Sequence, residues 1–395
     1  MRLLHTSSLV FQEFFDEHTP SYAILSHRWG EQEVSYADFL AGRKQDHAGH
    51  IKVLNACRIA SSNGHEWMWV DTICIDKTSS AELTEAINSM FEWYARSQMC
   101  YVHLRDVPPE LAAEQTNNAF QRSEWFSRGW TLQELLAPKH ILFLNSAWKS
   151  MGTKSELSPA IHQATRIPEW YLQRPDQICF ASVASRMSWA ARRTTTRSED
   201  VAYALLGVFN INMPLLYGER GHQAFFRLQL EIAKASDDES IFAWTSPTNE
   251  PCGMFAPWPS AFAGSGDVKS LHLPPEDRIP WEWTNKGLQL YLASPLNTKA
   301  SMTMGNSLMD HTKPGEPHKL VTLGCFKSDV DVDMRDAKAL RAAMKGKIVV
   351  IELQRMGARW KRVNAQRVQL AKEFERYSSS FYGSGVLQKV YFVEQ

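Results

Sequence analysis

Four short apolar runs, each leading into polar residues, constrain the fold of this chain more than any other feature. "YAILSH" (22–27), "WMWVDTICID" (67–76), "MCYVHL" (99–104) and "HILFLN" (140–145) have the length and the β-branched or aromatic content of buried strands. Between the first two lies "GHIKVLNACRIASSNG", with Ile51, Leu54 and Ile59 at helical spacing and a terminating Gly64. After the second, Ser79 and Glu82 spell a capping box ahead of Leu83, Ile87, Met90, Phe91 and Tyr94, the apolar stripe of an amphipathic helix. Strands that alternate with helices predict an α/β layer with a mostly parallel sheet flanked by helices. Ligands of such sheets sit outside the carboxyl ends of the strands, where the loops "SHRWGE" and "DTICID" emerge.

The pattern changes twice further on. From about Lys154 to Asp237 it turns helical, through "SEDVAYALLGVFNINMPLLYG" and "GHQAFFRLQLEIAKAS". Beyond Trp244, runs such as "GLQLYLAS", "HKLVTLGCF", "KIVVIEL" and "QKVYFVEQ", separated by Gly, Pro and Asn clusters, predict an antiparallel β domain. The expected organisation is an α/β domain over 1–153, a helical extension packed on it over 154–244, and a β-rich domain over 245–395.

Composition narrows the partners. The chain has 43 Lys plus Arg and 43 Asp plus Glu, so its balance of charge predicts neither nucleic acid nor an anionic membrane as partner. Its six cysteines form no metal-ligand spacing and read as free thiols in a reducing compartment, the cytoplasm. "MRLLHTSSLVFQEFFDEH" makes a poor signal peptide, and no run approaches the roughly 20 apolar residues of a membrane span.

The chemistry points to "SRGWTLQELLAP" (127–138). At about 100° per residue Leu132, Leu135 and Leu136 share one side of a short helix, while Trp130 and Glu134 share the other. Pro138 keeps the helix short, so Glu134 lies near its N-terminus, where the dipole favours an ionised carboxylate. Periodicity alone fits equally a solvated glutamate leaning on an aromatic ring. At the strand exits Arg28 suits a phosphate or a bridge between loops, and Trp29 a stacked ring or the core. Asp71 and Asp76 suit ribose hydroxyls or turn capping. A cysteine hydrolase built on Cys74 and His27 is weaker, because nothing orients the histidine. Neither GxxxxGK[ST] nor GxGxxG is present.

"YAILSHRWG", "WVDTICIDK", "WFSRGWTLQEL" and "TTRSEDVAYALLGVFNINMPLLYGE", in this order, resemble the fungal heterokaryon-incompatibility (HET) domain and the segment that follows it, from Met1 to about Trp244. The resemblance implies non-self recognition in a filamentous fungus, with cell death after incompatible fusion; the missing phosphate-loop motifs add the expectation of an effector without its own sensor domain. More distantly, "ILSHRWGEQE" and "SRGWTLQEL" look like the first strand and the S-x-W-C-x-x-E-L block of TIR domains, with Thr131 where many of those have cysteine. That similarity implies a flavodoxin-like sheet and NAD as substrate, with no further cofactor and no metal. It also implies Glu134 as catalytic residue, Ser26, Arg28, Trp29, Asp71, Asp76 and Trp130 around the dinucleotide, and self-association on activation. One carboxylate suffices for such chemistry, because nicotinamide bound to ribose is already cationic and departs neutral without a general acid. A non-catalytic module that recruits an incompatibility partner protein through the same surface is the alternative. Linear or cyclic ADP-ribose as product stays open.

Overall fold

The computed structural model describes residues 1–109, 113–248 and 250–271, and beyond these 281–284, 287–293, 318–328, 348–356, 359–363, 365–366, 369–370 and 387–392. The chain divides into two units: Met1–Phe180 with Arg193–Ala224, and Ala181–Arg192 with Phe225–Gln395.

The first unit is built on a seven-stranded sheet. Its strands are β1 (Arg2–His5), β2 (Phe11–Glu13), β3 (Ala23–His27), β4 (Trp67–Val70), β5 (Met99–His103), β6 (Ile141–Leu144) and β7 (Ser150–Thr153), in the order β2-β1-β4-β3-β5-β6-β7. The four runs read from sequence are β3 to β6, and β4, β3, β5 and β6 pair in parallel. Every residue of β3 is buried, as a central parallel strand covered on both faces requires. The three antiparallel strands that flank the parallel core, β1, β2 and β7, are not predicted from the sequence; with three or four residues each they carry too little pattern to register.

In chain order the parallel strands run second, first, third, fourth, the order of a flavodoxin-like doubly wound sheet over these four positions. After β3 the chain passes to β4 on one side; after β4 it returns to β5 on the other. The sheet therefore has a switch point at β3, and a crevice is expected above its carboxyl end.

Helices α1 (Tyr36–Leu40), α2 (Ala48–Ser62), α3 (Ser80–Arg96), α4 (Ala113–Gln121) and α5 (Thr131–Leu136) connect these strands. The buried face of α2 is Val53, Ala56, Cys57 and Ala60, whereas Ile51 is exposed. The expected stripe through Ile51, Leu54 and Ile59 is thus rotated: small residues face inward and allow close approach to the sheet, which side-chain size alone disguises. The capping box of α3 is half formed. Ser79 Oγ accepts from the Glu82 N–H at 3.3 Å, but the Glu82 carboxylate accepts from the Asp76 N–H at 2.7 Å and pairs with Arg2 at 2.8 Å. The ion pair with β1 thus takes the carboxylate away from the cap.

Residues 154–237 are largely helical, including Ser158–Thr165, Glu169–Gln173, Val183–Ala190 and Gly221–Ala235. In the second unit the strands are β8 (Val268–Ser270), β9 (Glu282–Thr284), β10 (Gly287–Ala293), β11 (His318–Lys327), β12 (Ile348–Met356), β13 (Arg359–Val363), β14 (Gln369–Leu370) and β15 (Leu387–Phe392). They form the expected antiparallel sheet, with one parallel pairing between β13 and β15. Because β11 also pairs with β12, strands β10, β11, β12, β13 and β15 form a closed circuit of pairings. Among the described residues no helix is long and apolar enough to cross a membrane.

Candidate active site

A cavity of about 270 Å³ lies at the switch point, within the first unit. His27 at the end of β3 and Asp71 just after β4 line one side, and Leu83, Ile87 and Met90 of α3 form an apolar wall. Trp130, Thr131 and Glu134 enter from the start of α5, and Arg197, Asp200 and Tyr217 come from a segment some 60 to 80 residues further along the chain.

Backbone pairing holds that segment beside α5. Gly129 N–H donates to the Thr194 carbonyl at 2.8 Å, and Thr194 N–H donates to that of Ser127 at 2.7 Å. A Cβ at Gly129 would stand 2.4 Å from Thr195 Cγ2, so any larger residue here would force the Thr195 side chain to move. Arg193 supports the same turn, donating to the Arg128 carbonyl at 2.8 Å and to Thr131 Oγ1 at 2.9 Å.

Glu134 is buried, 8% exposed. Ser26 Oγ donates to its Oε2 and itself accepts from the Trp125 indole N–H at 2.8 Å, so the orientation of the carboxyl is relayed from the core. Tyr94, which donates to the Leu25 carbonyl at 3.2 Å, also touches it. Burial pushes the Glu134 carboxyl up to about 8; the Ser26 bond opposes this, Asp71 adds to it and Arg128 relieves it. The expectation of a carboxylate kept ionised by the helix dipole is corrected accordingly. A six-residue helix supplies little field, and desolvation outweighs it.

Neighbouring groups are tuned the same way. Burial raises Asp71, opposed by Lys77 and by the Trp29 indole N–H, which donates to Asp71 Oδ2 at 2.6 Å. Lys77 Nζ stands 3.7 Å over the Trp29 ring. His27 is driven well below its usual range by burial and then by nearby cations, so it is neutral at pH 7. Its ring nitrogens have no hydrogen-bond partner, and Nε2 stands 3.8 Å from Asp71 Oδ1. Trp130 Nε1 donates to Asp200 Oδ2 at 3.1 Å, and Tyr217 OH to Asp200 Oδ1 at 3.0 Å.

Of the residues singled out from sequence, Trp29, Asp71, Trp130 and Glu134 line this cavity, and Ser26 lies behind them as the partner of Glu134. Arg28 turns to the other side, pairs with Glu124 and lines a separate polar pocket. Asp76 accepts from Thr78 N–H at 3.0 Å and from its hydroxyl at 2.7 Å, capping its own turn. Cys74 is held by the Val70 N–H at 3.3 Å, and burial pushes its thiol up to about 12, which leaves no nucleophile beside His27. Sequence reasoning missed Lys77, Arg128, Arg197, Asp200 and Tyr217. All five sit inside the family-like motifs "WVDTICIDK", "WFSRGWTLQEL" and "TTRSEDVAYALLGVFNINMPLLYGE", which were the one signal for them.

The class defined by this fold and site is an α/β domain, its mostly parallel sheet flanked by helices, with a buried carboxyl enclosed at the switch point beside two tryptophans. Among the described residues no group of His, Cys, Asp or Glu could hold a metal ion. Residues 22–111 match the family model of the heterokaryon incompatibility protein (HET). It is 44% identical over 221 residues to the vegetative incompatibility protein HET-E-1 of Podospora anserina, a match covering 54% of this chain and 16% of that protein. The chain thus spans about a sixth of the length of this curated relative. No solved structure matches it.

Proposed function

We propose that this protein acts in fungal vegetative incompatibility and that its first unit cleaves NAD, with Glu134 as the catalytic carboxylate and cell death following from loss of NAD. The observation that carries the reading is the enclosure of Glu134 in a cavity at the switch point, oriented by Ser26 and flanked by Trp29 and Trp130. A volume of about 270 Å³ suits the nicotinamide riboside end of the dinucleotide better than the whole.

The bond broken joins ribose C1′ to the nicotinamide nitrogen. Its electron pair leaves with the ring, which departs neutral, and water adds to C1′ and releases a proton. Ionised Glu134 stabilises the oxocarbenium character that develops at C1′, and its effect is large because the cavity excludes water. In the empty site burial keeps the carboxyl largely protonated at neutral pH. A bound pyridinium cation reverses that preference, so substrate binding expels the proton and creates the catalytic form.

The recruitment alternative uses Trp130 and Glu134 as an interface pair. Its difficulty is accessibility, since Glu134 faces a cavity and is 8% exposed. The test is nicotinamide release from NAD by the purified chain, at high concentration with a crowding agent to favour self-association. Wild type is expected to release it and Glu134→Gln to lose about 10²- to 10³-fold in rate. Absence of release from both, with the protein folded and assembled, would refute the enzymatic reading and leave recruitment.

A further inference from the structure

Arg28, drawn away from the Glu134 cavity, lines a second pocket of about 290 Å³ within the same unit. It is lined by Arg28 and Arg128 and by the hydroxyl residues Ser127, Thr194, Thr195 and Thr196; the one acidic residue is Glu124. Arg128 and Thr196 also line the Glu134 cavity, so the two spaces share a wall. The first combines an apolar wall and two tryptophans with ionisable groups, and the second is cationic and rich in hydroxyls. A ligand that fills both must be aromatic at one end and anionic at the other.

The balance of charge in the second pocket is incomplete. Arg105 and Arg128 both lie close enough to Arg28 to repel its charge. Against them stand Glu124, paired with Arg28 and 3.8 Å from Arg105, and Asp106. Asp106 is engaged elsewhere, accepting from Ser123 Oγ at 2.8 Å and from the Glu124 N–H at 2.7 Å. Arg128, on the shared wall, makes no side-chain hydrogen bond or ion pair among the described residues. The Arg28 Nε is buried and without a partner. Glu124 itself is about half exposed, 53%, so releasing it from Arg28 returns a carboxylate to water at small cost.

We propose that this second pocket is the phosphate subsite of the enzyme, that Arg128 and Arg28 clamp a pyrophosphate there, and that Glu124 occupies Arg28 as a stand-in anion until the ligand displaces it. Guanidinium forks and hydroxyl donors are the chemistry that recognises phosphate oxygens. Selection follows from the layout: a substrate with phosphates engages both spaces, and a bare nucleoside engages one. As to substrate, the subsite rests on the NAD-cleavage reading.

The experiment titrates the full chain with inorganic pyrophosphate and with ADP-ribose by calorimetry, in wild type, Arg28→Gln, Arg128→Gln and Glu124→Gln. Nicotinamide release from NAD and from nicotinamide riboside is measured on the same preparations. Both anions should bind wild type, at least tenfold more weakly in the two arginine variants and several-fold more tightly in Glu124→Gln. In Arg28→Gln, kcat/KM should fall about tenfold for NAD and stay unchanged for the riboside, with Arg28→Lys restoring part of the loss and melting curves confirming folded protein. Pyrophosphate that does not bind, or binds all variants alike, overturns the subsite, as does an Arg28→Gln loss equal for both substrates. Pyrophosphate binding with the stated variant dependence, but no nicotinamide release by wild type, keeps the subsite and removes the NAD-cleavage reading.

Discussion

Each unit buries an ionisable side chain, and the two solve the problem in opposite ways. In the second unit Arg362 is 3% exposed, donates to the carbonyls of Phe242 at 2.9 Å and Trp244 at 2.6 Å, and lies 4.3 Å over the Trp244 ring. In the first unit Glu134 is equally enclosed, but one wall of its surroundings is a cavity, and burial holds its proton up to about 8. Arg362 is fixed by backbone acceptors and an aromatic face, which is how a charge serves architecture. Glu134 is left poorly solvated and facing open space, which costs stability and leaves a group whose ionisation a ligand can control.

That contrast predicts mutations of opposite sign. Arg362→Met strands two buried carbonyls without their donors and should cost the second unit about 2–4 kcal/mol, seen as a lower melting temperature and faster amide exchange around Phe242 and Trp244. Glu134→Gln keeps the shape and an acceptor for Ser26 but removes the need to ionise, so it should raise stability by up to a few kcal/mol at pH 8 and by almost nothing at pH 4. The sign follows from proton binding. Between the ordinary carboxyl value of 4.5 and about 8 the folded state holds a proton that the unfolded state has lost, so wild-type stability falls as pH rises through that window. The variant lacks this slope, and denaturant midpoints across pH 4 to 9 would reveal it.

A third expectation concerns rate. If ionised Glu134 is the active form, kcat/KM for nicotinamide release should rise with pH and level off above about 8, while the profile of kcat alone shifts to lower pH because the bound cation favours the carboxylate. Trp130→Phe keeps an aromatic face but loses the larger indole and its bond to Asp200, and should cost about 1 kcal/mol of stability with a several-fold change in KM. Asp76→Ala removes only the turn cap on Thr78; a change of about 1 kcal/mol or less, with release within twofold of wild type, would separate it from the cavity residues.

How much of this was legible beforehand depended on the range of the interactions involved. The four parallel strands and the helix of Glu134 were readable because periodicity and apolar runs are local signals. The two faces of α5 were also readable, since Leu132, Leu135 and Leu136 are fully buried in the core while Trp130 and Glu134 line the cavity. What a local pattern could not show is that a segment 60 to 80 residues later closes over that second face through Arg197, Asp200 and Tyr217 and so buries the carboxyl that the helix dipole was expected to keep ionised. Arg28 illustrates a different limit. Adjacent residues of an extended chain point to opposite sides, so Arg28 could not be placed in the cavity of His27 by sequence proximity alone, and its partner Glu124 lies 96 positions away.

The central claim is that the carboxyl of Glu134 is held at the expense of stability because it does chemistry. The direct test takes wild type and Glu134→Gln at pH 7.5 and measures nicotinamide release from NAD and thermal unfolding on the same samples. The account predicts a variant that melts higher than wild type and releases no nicotinamide above background. A variant that melts lower, or that releases nicotinamide at the wild-type rate, would contradict it.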